Sequence, residues 1–416
     1  MTGSGPISRV KILVLNSGSS SQKSALFDLK DGETSDQKAG SPLWQAKIEW
    51  NKEGATLAVS SAHGESLTRQ TKTRDRKSAV KEMLETLWDG PTKVADAKEV
   101  QVVGHRVVHG GPDLWKPTVI TDSVKLAIRK VEPFAPLHNR AELEGVEIIE
   151  QLLGSVLQVA VFDTGFHRTI PLPAAVYPGP YSWYEKSIRK YGFHGINHQY
   201  CAGRVAQLLQ RDLESLKLVS CHLGNGCSLA AIYGGRSVET TMGFTPLDGL
   251  MMGTRSGSVD PGILTYLLRE AHTTGEKLDK TLNEGSGLLG ISGVSGDMRE
   301  VLAAMRDGNS RAKLAFDMYV HRLQLAIGAM AAALNGIDAL VFTGGVGENS
   351  PEVRASACAK LGFIGVELDE ERNRQSPADQ EISLPSSRVR VLIIRAQEDW
   401  AIAQDCKQVL QHKPAN

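Results

Sequence analysis

The sequence predicts an α/β protein assembled from two copies of one domain. Three observations carry that expectation. At 416 residues the chain exceeds what one ordinary hydrophobic core supports. A strand–turn–strand pattern near its start recurs past its midpoint. Between and after these two hairpins, strand-like runs alternate with helical ones, the ordering of an α/β class.

Residues 10–15 form a mostly apolar run ending in Asn16-Ser17-Gly18-Ser19-Ser20-Ser21-Gln22-Lys23, and a second strand-like run, 24–29, follows at once. A P-loop would instead place a helix after its glycines. Residues 77–88 have helical spacing, and 99–108 read as a strand ahead of Gly110-Gly111-Pro112. Residues 140–153 alternate apolar and charged side chains at helical spacing, and 157–162 are again strand-like. The domain boundary falls soon after Asp163. Residues 216–221 then read as a strand, His222-Leu223-Gly224-Asn225-Gly226 as a turn and 228–233 as the return strand. Aligning Gly18 with Gly224 superposes the two hairpins, including the small residues around each turn, which points to duplication. Residues 311–335 make a long alanine- and leucine-rich helix. Residues 339–342 lead into Thr343-Gly344-Gly345-Val346-Gly347-Glu348-Asn349, and 388–394 form a last strand before a terminal helix.

Composition narrows the function. Charged residues are 23% and apolar ones 41%, the balance of a soluble globular protein. Lysine plus arginine equals aspartate plus glutamate, 47 each, so no global field favours nucleic acid or an acidic membrane. An anion must therefore be held by local groups. Residues 1–9 lack a signal-peptide core, and apolar stretches such as 325–334 fall short of the ~20 residues that cross a bilayer. Cys201, Cys221, Cys227, Cys358 and Cys406 form no CxxC pair and no zinc spacing. They read as reduced, buried thiols, and the expected location is the cytoplasm.

Three glycine-rich turns follow apolar strands, at 16–23, 222–226 and 344–349. Glycine lets the backbone approach a ligand closely, so several N–H groups can converge on phosphate oxygens. One such turn alone is an ordinary hairpin connection. Three together, two of them related by repetition and the first rich in serine and carrying Lys23, point to a nucleotide.

These turns belong to longer motifs that resemble acetate kinases. The stretch Asn16 through Lys23 is similar to the family's amino-terminal signature. Thr241-Met242-Gly243-Phe244-Thr245-Pro246-Leu247-Asp248-Gly249-Leu250-Met251-Met252-Gly253-Thr254-Arg255-Ser256-Gly257 is similar to its second. Gly104-His105-Arg106-Val107-Val108-His109-Gly110-Gly111, Phe162-Asp163-Thr164-Gly165-Phe166-His167, Tyr191-Gly192-Phe193-His194-Gly195 and 222–226 also match, in family order, over about residues 11–405. The resemblance implies a duplicated actin-like (ribonuclease H-like, sugar-kinase- and Hsp70-like) fold with a nucleotide cleft between its domains. One domain would span 8–165 joined by a C-terminal helix at about 397–416, the other 166–396. It also implies transfer of the ATP γ-phosphoryl group to acetate, giving acetyl phosphate and ADP, in a homodimer.

Joining two anions demands alignment and charge neutralisation, for which bidentate guanidinium groups are suited. By resemblance, Arg106 contacts the acetate carboxylate, Arg255 steadies the reacting groups and His194 donates to the phosphoryl oxygens. His109, His138 and His167 read as structural. Asp163 matches the family's catalytic aspartate, a proton acceptor. A carboxylic acid resembling Glu, with a reference pKa of about 4.3, is already ionised at pH 7, so an orienting or metal-shell role is the better reading. Mg2+, or Mn2+ in its place, would fall to Asn16 and Glu398. Here Asp399-Trp400 replaces the usual Glu-Leu, which makes either carboxylate a candidate ligand. Nucleotide contacts are expected from Lys23, His222, Leu223, Gly224, Asn225, Gly226, Asp297, Met298, Arg299, Gly345, Val346, Gly347, Glu348 and Asn349. Met298 stands where many relatives carry phenylalanine, and Gly344-Gly345-Val346-Gly347 is a minor variant of the usual loop. Val108, Leu137, Phe193 and Pro246 match the pocket for the acetate methyl. Ile196-Asn197 replaces the common Thr-Ser beside His194. Two alternatives remain open: a propionate or butyrate kinase on the same scaffold, and a non-catalytic ATP-dependent switch.

Overall fold

Two sheets organise the chain in a computed structural model that describes residues 9–18, 21–30, 39–50, 54–71, 75–271, 273–375 and 378–412, with only the backbone of Pro136 and Leu137. The strands of the first sheet are β1 (Arg9–Ser17), β2 (Ser21–Lys30), β3 (Trp44–Trp50), β4 (Ala55–Ser61), β5 (Ser66–Thr71), β6 (Val102–Val107), β7 (Thr118–Val119) and β8 (Leu157–Phe162). Those of the second are β9 (Lys217–Leu223), β10 (Cys227–Tyr233), β11 (Arg236–Thr240), β12 (Ala339–Thr343), β13 (Gln380–Glu381) and β14 (Arg390–Ile393). By internal packing the chain divides into one unit of Met1–Gly165 with Gln397–Asn416, and a second of Phe166–Ala396.

The strand orders are β5-β4-β3-β2-β1-β6-β8-β7 and β11-β10-β9-β12-β14-β13. From β3 to β7 the first order repeats strand for strand in the second. In each, a hairpin (β1–β2, β9–β10) continues into two parallel strands (β6 and β8, β12 and β14) and closes on a short antiparallel edge. Each hairpin turn opens on a glycine that donates across it, Gly18 N–H to Ser21 O at 2.7 Å and Gly224 N–H to Gly226 O at 3.0 Å, the second turn being one residue tighter. The duplicated α/β fold expected from the hairpins is therefore present.

The central strands are buried on both faces, which is why β1 reads as a continuous apolar run rather than an alternating one. Ile12, Leu13, Val14 and Leu15 are all essentially inaccessible. The helix Pro136–Leu153 packs against β1 and β6, with proline in its first turn, where a missing N–H costs nothing. The last helix, Glu398–Gln411, packs against β1, β2, β6 and β8. Its approach requires Gly104, because a Cβ there would lie 2.6 Å from Cys406 Sγ and 2.7 Å from Ile402 Cγ2.

Three features differ from the sequence reading. The antiparallel meander β3–β5 extends the first sheet, although 43–71 carried no strand expectation. Its core joins Trp44, Ile48, Leu57 and Val59 to Met83 and Leu84 of the helix Arg76–Glu85. The turn at 344–349 is a single short helix, Gly344–Asn349, set directly on β12. The long helix runs Ser310–Ala333. All five cysteines are buried free thiols. Among the described residues no helix is long and apolar enough to cross a membrane.

Burial pushes the Asp405 carboxyl in the last helix from its ordinary 3.8 up to about 7. The folded state therefore holds a proton that the unfolded state releases near pH 4. Stability from this group is full below pH 4 and is lost as pH rises through 7. Asp405→Asn is expected to raise the melting temperature by about 2–4 °C at pH 8 and to leave it unchanged at pH 4. Thermal denaturation at the two pH values measures this; an equal shift at both would remove the titration argument.

Candidate functional site

Side chains of the first unit gather at the carboxyl ends of the parallel strands β1, β6 and β8, where ligands bind in open α/β sheets. Asn16 ends β1, Arg106 lies near the end of β6, and Asp163 follows β8. Arg106 Nη2 donates to Asp163 Oδ2 at 2.6 Å; the guanidinium side chain is 12% exposed and the carboxylate 0%. Burial pulls the Arg106 guanidinium downward, but the charges of Asp163 and Glu398 more than offset it and hold the group above its ordinary range. Arg106 Nη1 also reaches Asn16 Oδ1 at 3.5 Å. Asn16 Nδ2 donates in turn to Glu398 Oε2 at 3.2 Å and Asp399 Oδ1 at 3.1 Å. Burial raises the Asp399 carboxyl, opposed by the Asn16 hydrogen bond. Lys23 is the cross-strand partner of Asn16 on β2.

Glu142, which the sequence reading missed, completes this group. Both of its carboxylate oxygens accept the Val108 N–H at 3.1 Å. Burial raises its carboxyl to about 8 despite the nearby Arg106. It pins the backbone two residues beyond Arg106, and Val108 itself is buried. Leu137 occupies the second position of its helix, but its side chain lies outside the described residues.

This oxygen-rich set suits a hard divalent cation. Two carboxylates converge on one amide, and ligands of this kind and number leave Mg2+ most of its waters. Among the described residues no group of three or more His, Cys, Asp or Glu could hold a metal.

In the second unit, His194 caps the helix Gly195–Leu208 in the left-handed conformation, φ 58°. Its Nδ1 lies 2.9 Å from Ser228 Oγ on β10, and its ring stacks on His222 with centroids 4.1 Å apart. Asn197, one of the departures noted in the sequence, donates from Nδ2 to His222 Nδ1 at 2.8 Å and to Thr343 Oγ1 at 3.2 Å. Arg255 Nη1 donates to Pro246 O at 3.1 Å. The two chemical side chains meet over one glycine: a Cβ on Gly226 would lie 3.3 Å from Arg255 Nη1 and 3.6 and 3.7 Å from His194 Cε1 and Nε2. Phe193 is buried, and its carbonyl lies 3.0 Å from His167 Nε2. Since a carbonyl only accepts, His167 carries its proton on Nε2 and fixes the backbone ahead of His194.

Beside this pair lies a cavity of about 620 Å³ lined by Gly224, Asn225, Asp297, Met298, Arg299, Gly345, Val346 and Asn349. Its volume lies in the range of small-molecule and cofactor sites. His222, Leu223, Gly226, Gly347 and Glu348 do not line it. Asp297 caps the helix Met298–Arg306 and holds Arg299 Nη2 at 2.5 Å. The Glu348 carboxylate turns back, its Oε1 accepting the N–H groups of Gly344 and Ala396, each at 2.9 Å. Arg354, also missed in the sequence and fully buried, donates from Nη1 to Gly347 O at 2.8 Å and Glu348 O at 2.9 Å. It fixes the turn from beneath, and burial lowers its guanidinium to about 10.

The sequence-expected residues thus fall into two groups. Asn16, Lys23, Arg106, Val108, Asp163 and Glu398 lie in the first unit; Phe193, His194, Pro246, Arg255 and the cavity lining lie in the second.

The family model described as Acetokinase family matches residues 11–404. The acetate kinase of Nostoc punctiforme is 57% identical over 406 residues, 97% of this chain and 100% of that protein. The acetate kinase of Gloeobacter violaceus is 56% identical over 407 residues, 97% and 100% of the two chains. Among solved structures, Porphyromonas gingivalis acetate kinase is similar with a TM-score of 0.87 at 39% identity, covering 96% of this chain and 100% of that one. A propionate kinase from Francisella tularensis gives 0.87 at 35%, covering 96% and 99%.

Proposed function

The chain belongs to the acetokinase family and is an ATP:acetate phosphotransferase, and we propose that it works by direct in-line transfer between two arginines and a histidine. The observation that carries this reading is the convergence of Arg255 and His194 over Gly226, next to the cavity-lining Gly224 and Asn225.

In this reading the cavity holds the adenosine, with Met298 and Val346 as apolar walls. The backbone around Gly224, Asn225 and Gly345 faces the phosphates. Acetate is already an anion at neutral pH, so no base is needed in the forward direction. Arg106 holds the carboxylate through its fork. One carboxylate oxygen attacks the γ-phosphorus as the bond to the β–γ bridging oxygen breaks, and that electron pair leaves on ADP. Arg255 and His194 donate to the equatorial oxygens, where transition-state charge collects. Asp163, bound to Arg106 at 2.6 Å, is the orienting group that keeps the guanidinium aimed, not a proton acceptor. Asn16, Glu398 and Asp399 would hold Mg2+, which neutralises phosphate charge when bound. Mn2+ presents the same preference for oxygen donors.

Val108, Phe193, Pro246 and Leu137 are assigned to the acetate methyl. One methylene in such a pocket changes kcat/KM by roughly 10–200-fold, so propionate is expected to be the poorer substrate by that factor. The propionate kinase likeness makes this the comparison that matters. A coupled assay across acetate, propionate and butyrate, with hydroxamate trapping of the acyl phosphate, measures it. Preference for propionate or butyrate would overturn the acetate pocket, and tight ATP binding with no trapped product would favour a switch. We also infer a cytoplasmic homodimer. The helix Pro261–Glu270 leaves Ile263 and Tyr266 exposed one turn apart, an apolar face a second copy would cover.

A further inference from the structure

His194 is one end of a buried hydrogen-bonded series. Its Nδ1 lies 2.9 Å from Ser228 Oγ, and the same hydroxyl lies 2.8 Å from His198 Nε2. His198 Nδ1 lies 2.9 Å from Ser220 Oγ. His198 and Ser228 are wholly inaccessible and Ser220 nearly so. The series follows from the fold: His194 and His198 are one turn apart at the start of the helix Gly195–Leu208, while Ser220 and Ser228 stand diagonally across the β9–β10 pair, where Ser228 faces His222 and Ser220 faces Ala230.

A hydroxyl has one proton, so Ser228 can donate to only one of the two imidazoles. Each neutral imidazole offers one N–H and one lone pair. With the Ser228 proton donated within the series, two settings are consistent. In one, Ser220 donates to His198 Nδ1, His198 Nε2–H donates to Ser228, and Ser228 donates to His194 Nδ1, leaving the His194 proton on Nε2. In the other every bond reverses, the His194 proton sits on Nδ1, and Nε2 presents a lone pair. The second setting would aim that lone pair at an anion over Gly226.

We propose that His198, acting through Ser228, is a positioning residue that keeps His194 in the neutral tautomer protonated on Nε2. This rests on the reading of His194 as a donor to the transferred phosphoryl group. Burial, reinforced by His167 and His222, keeps His198 well below the usual histidine range, so it serves as a fixed one-proton element at neutral pH. It touches neither substrate nor nucleotide in this scheme; it sets the direction in which Ser228 points.

The test is 15N NMR of the histidine-labelled full chain at pH 7.5, with kinetics of three variants. The wild type is expected to show His194 as one tautomer, its Nδ1 unprotonated. Ser228→Ala should replace that signature by averaged shifts and lower kcat about tenfold, the worth of one directed hydrogen bond, with KM values changed less than twofold. His198→Gln, which keeps an N–H toward Ser228, should restore most of the rate that His198→Phe loses. If His198→Phe does not fold, Ser228→Ala alone decides. A wild-type proton on His194 Nδ1, or unchanged tautomer and kcat in Ser228→Ala, overturns the relay. Undiminished kcat in His194→Ala overturns instead the reading beneath it.

Discussion

Arg106→Ala is expected to lower kcat/KM for acetate by about three orders of magnitude, the usual worth of an arginine that neutralises a transferring phosphoryl group and its acceptor. The KM for acetate should rise as well as kcat fall, because the fork is assigned to the acceptor in the ground state. The variant also strips a fully buried carboxylate of its guanidinium. Losing one member of a buried pair costs about 3–5 kcal/mol, so some of the deficit could come from unfolding. Arg106→Ala combined with Asp163→Asn separates the two effects: it should regain much of the melting temperature and none of the activity. Steady-state kinetics beside thermal denaturation decide the matter. Near-normal turnover in a folded Arg106→Ala protein would show that the acceptor site lies elsewhere.

Arg255→Ala is expected to lower kcat by a similar factor, about 10³-fold, with a smaller rise in the KM for acetate. Arg255 shares Gly226 with His194, and on the side assigned to the acceptor it holds the Pro246 carbonyl, not the methyl wall itself. Its contribution should therefore grow as charge develops on phosphorus. Arg255→Lys restores a cation but not the fork, and should recover only a small part of the rate. Recovery to within a few-fold of wild type would mean that a point charge suffices, and the two-toothed contact would have to be abandoned.

Much of the fold was legible in the sequence because its strongest signal is local. The apolar runs of β1 and β9 each end in a turn that opens on glycine, and those turns mark both hairpins. At 344–349 the sequence reads as a glycine turn where the chain forms a short helix, because six residues carry too little periodicity to show one. The meander β3–β5 was passed over, although its alternation at Trp44, Ala46 and Ile48 was there to be read. Its burial depends on a helix that follows later in the chain. Glu142 and Arg354 were not legible at all. A charged residue inside a helix pattern looks solvated unless packing is known, and only tertiary structure shows the backbone groups these two satisfy. The departures found by comparing motifs acquired physical sense. Trp400 packs edge-on to Phe27 with ring centroids 5.6 Å apart and leaves no room for a side chain at Gly40, while Asp399 turns to Asn16.

Glu348 spends one oxygen on two amides that are far apart in the chain, Gly344 at the head of the glycine-rich segment and Ala396 just before Glu398 and Asp399. Slack in one of these segments is thereby slack in the other. A designer who retunes the turn for another nucleotide inherits the lead-in to the acidic pair as a dependent variable, yoked to it through a single atom.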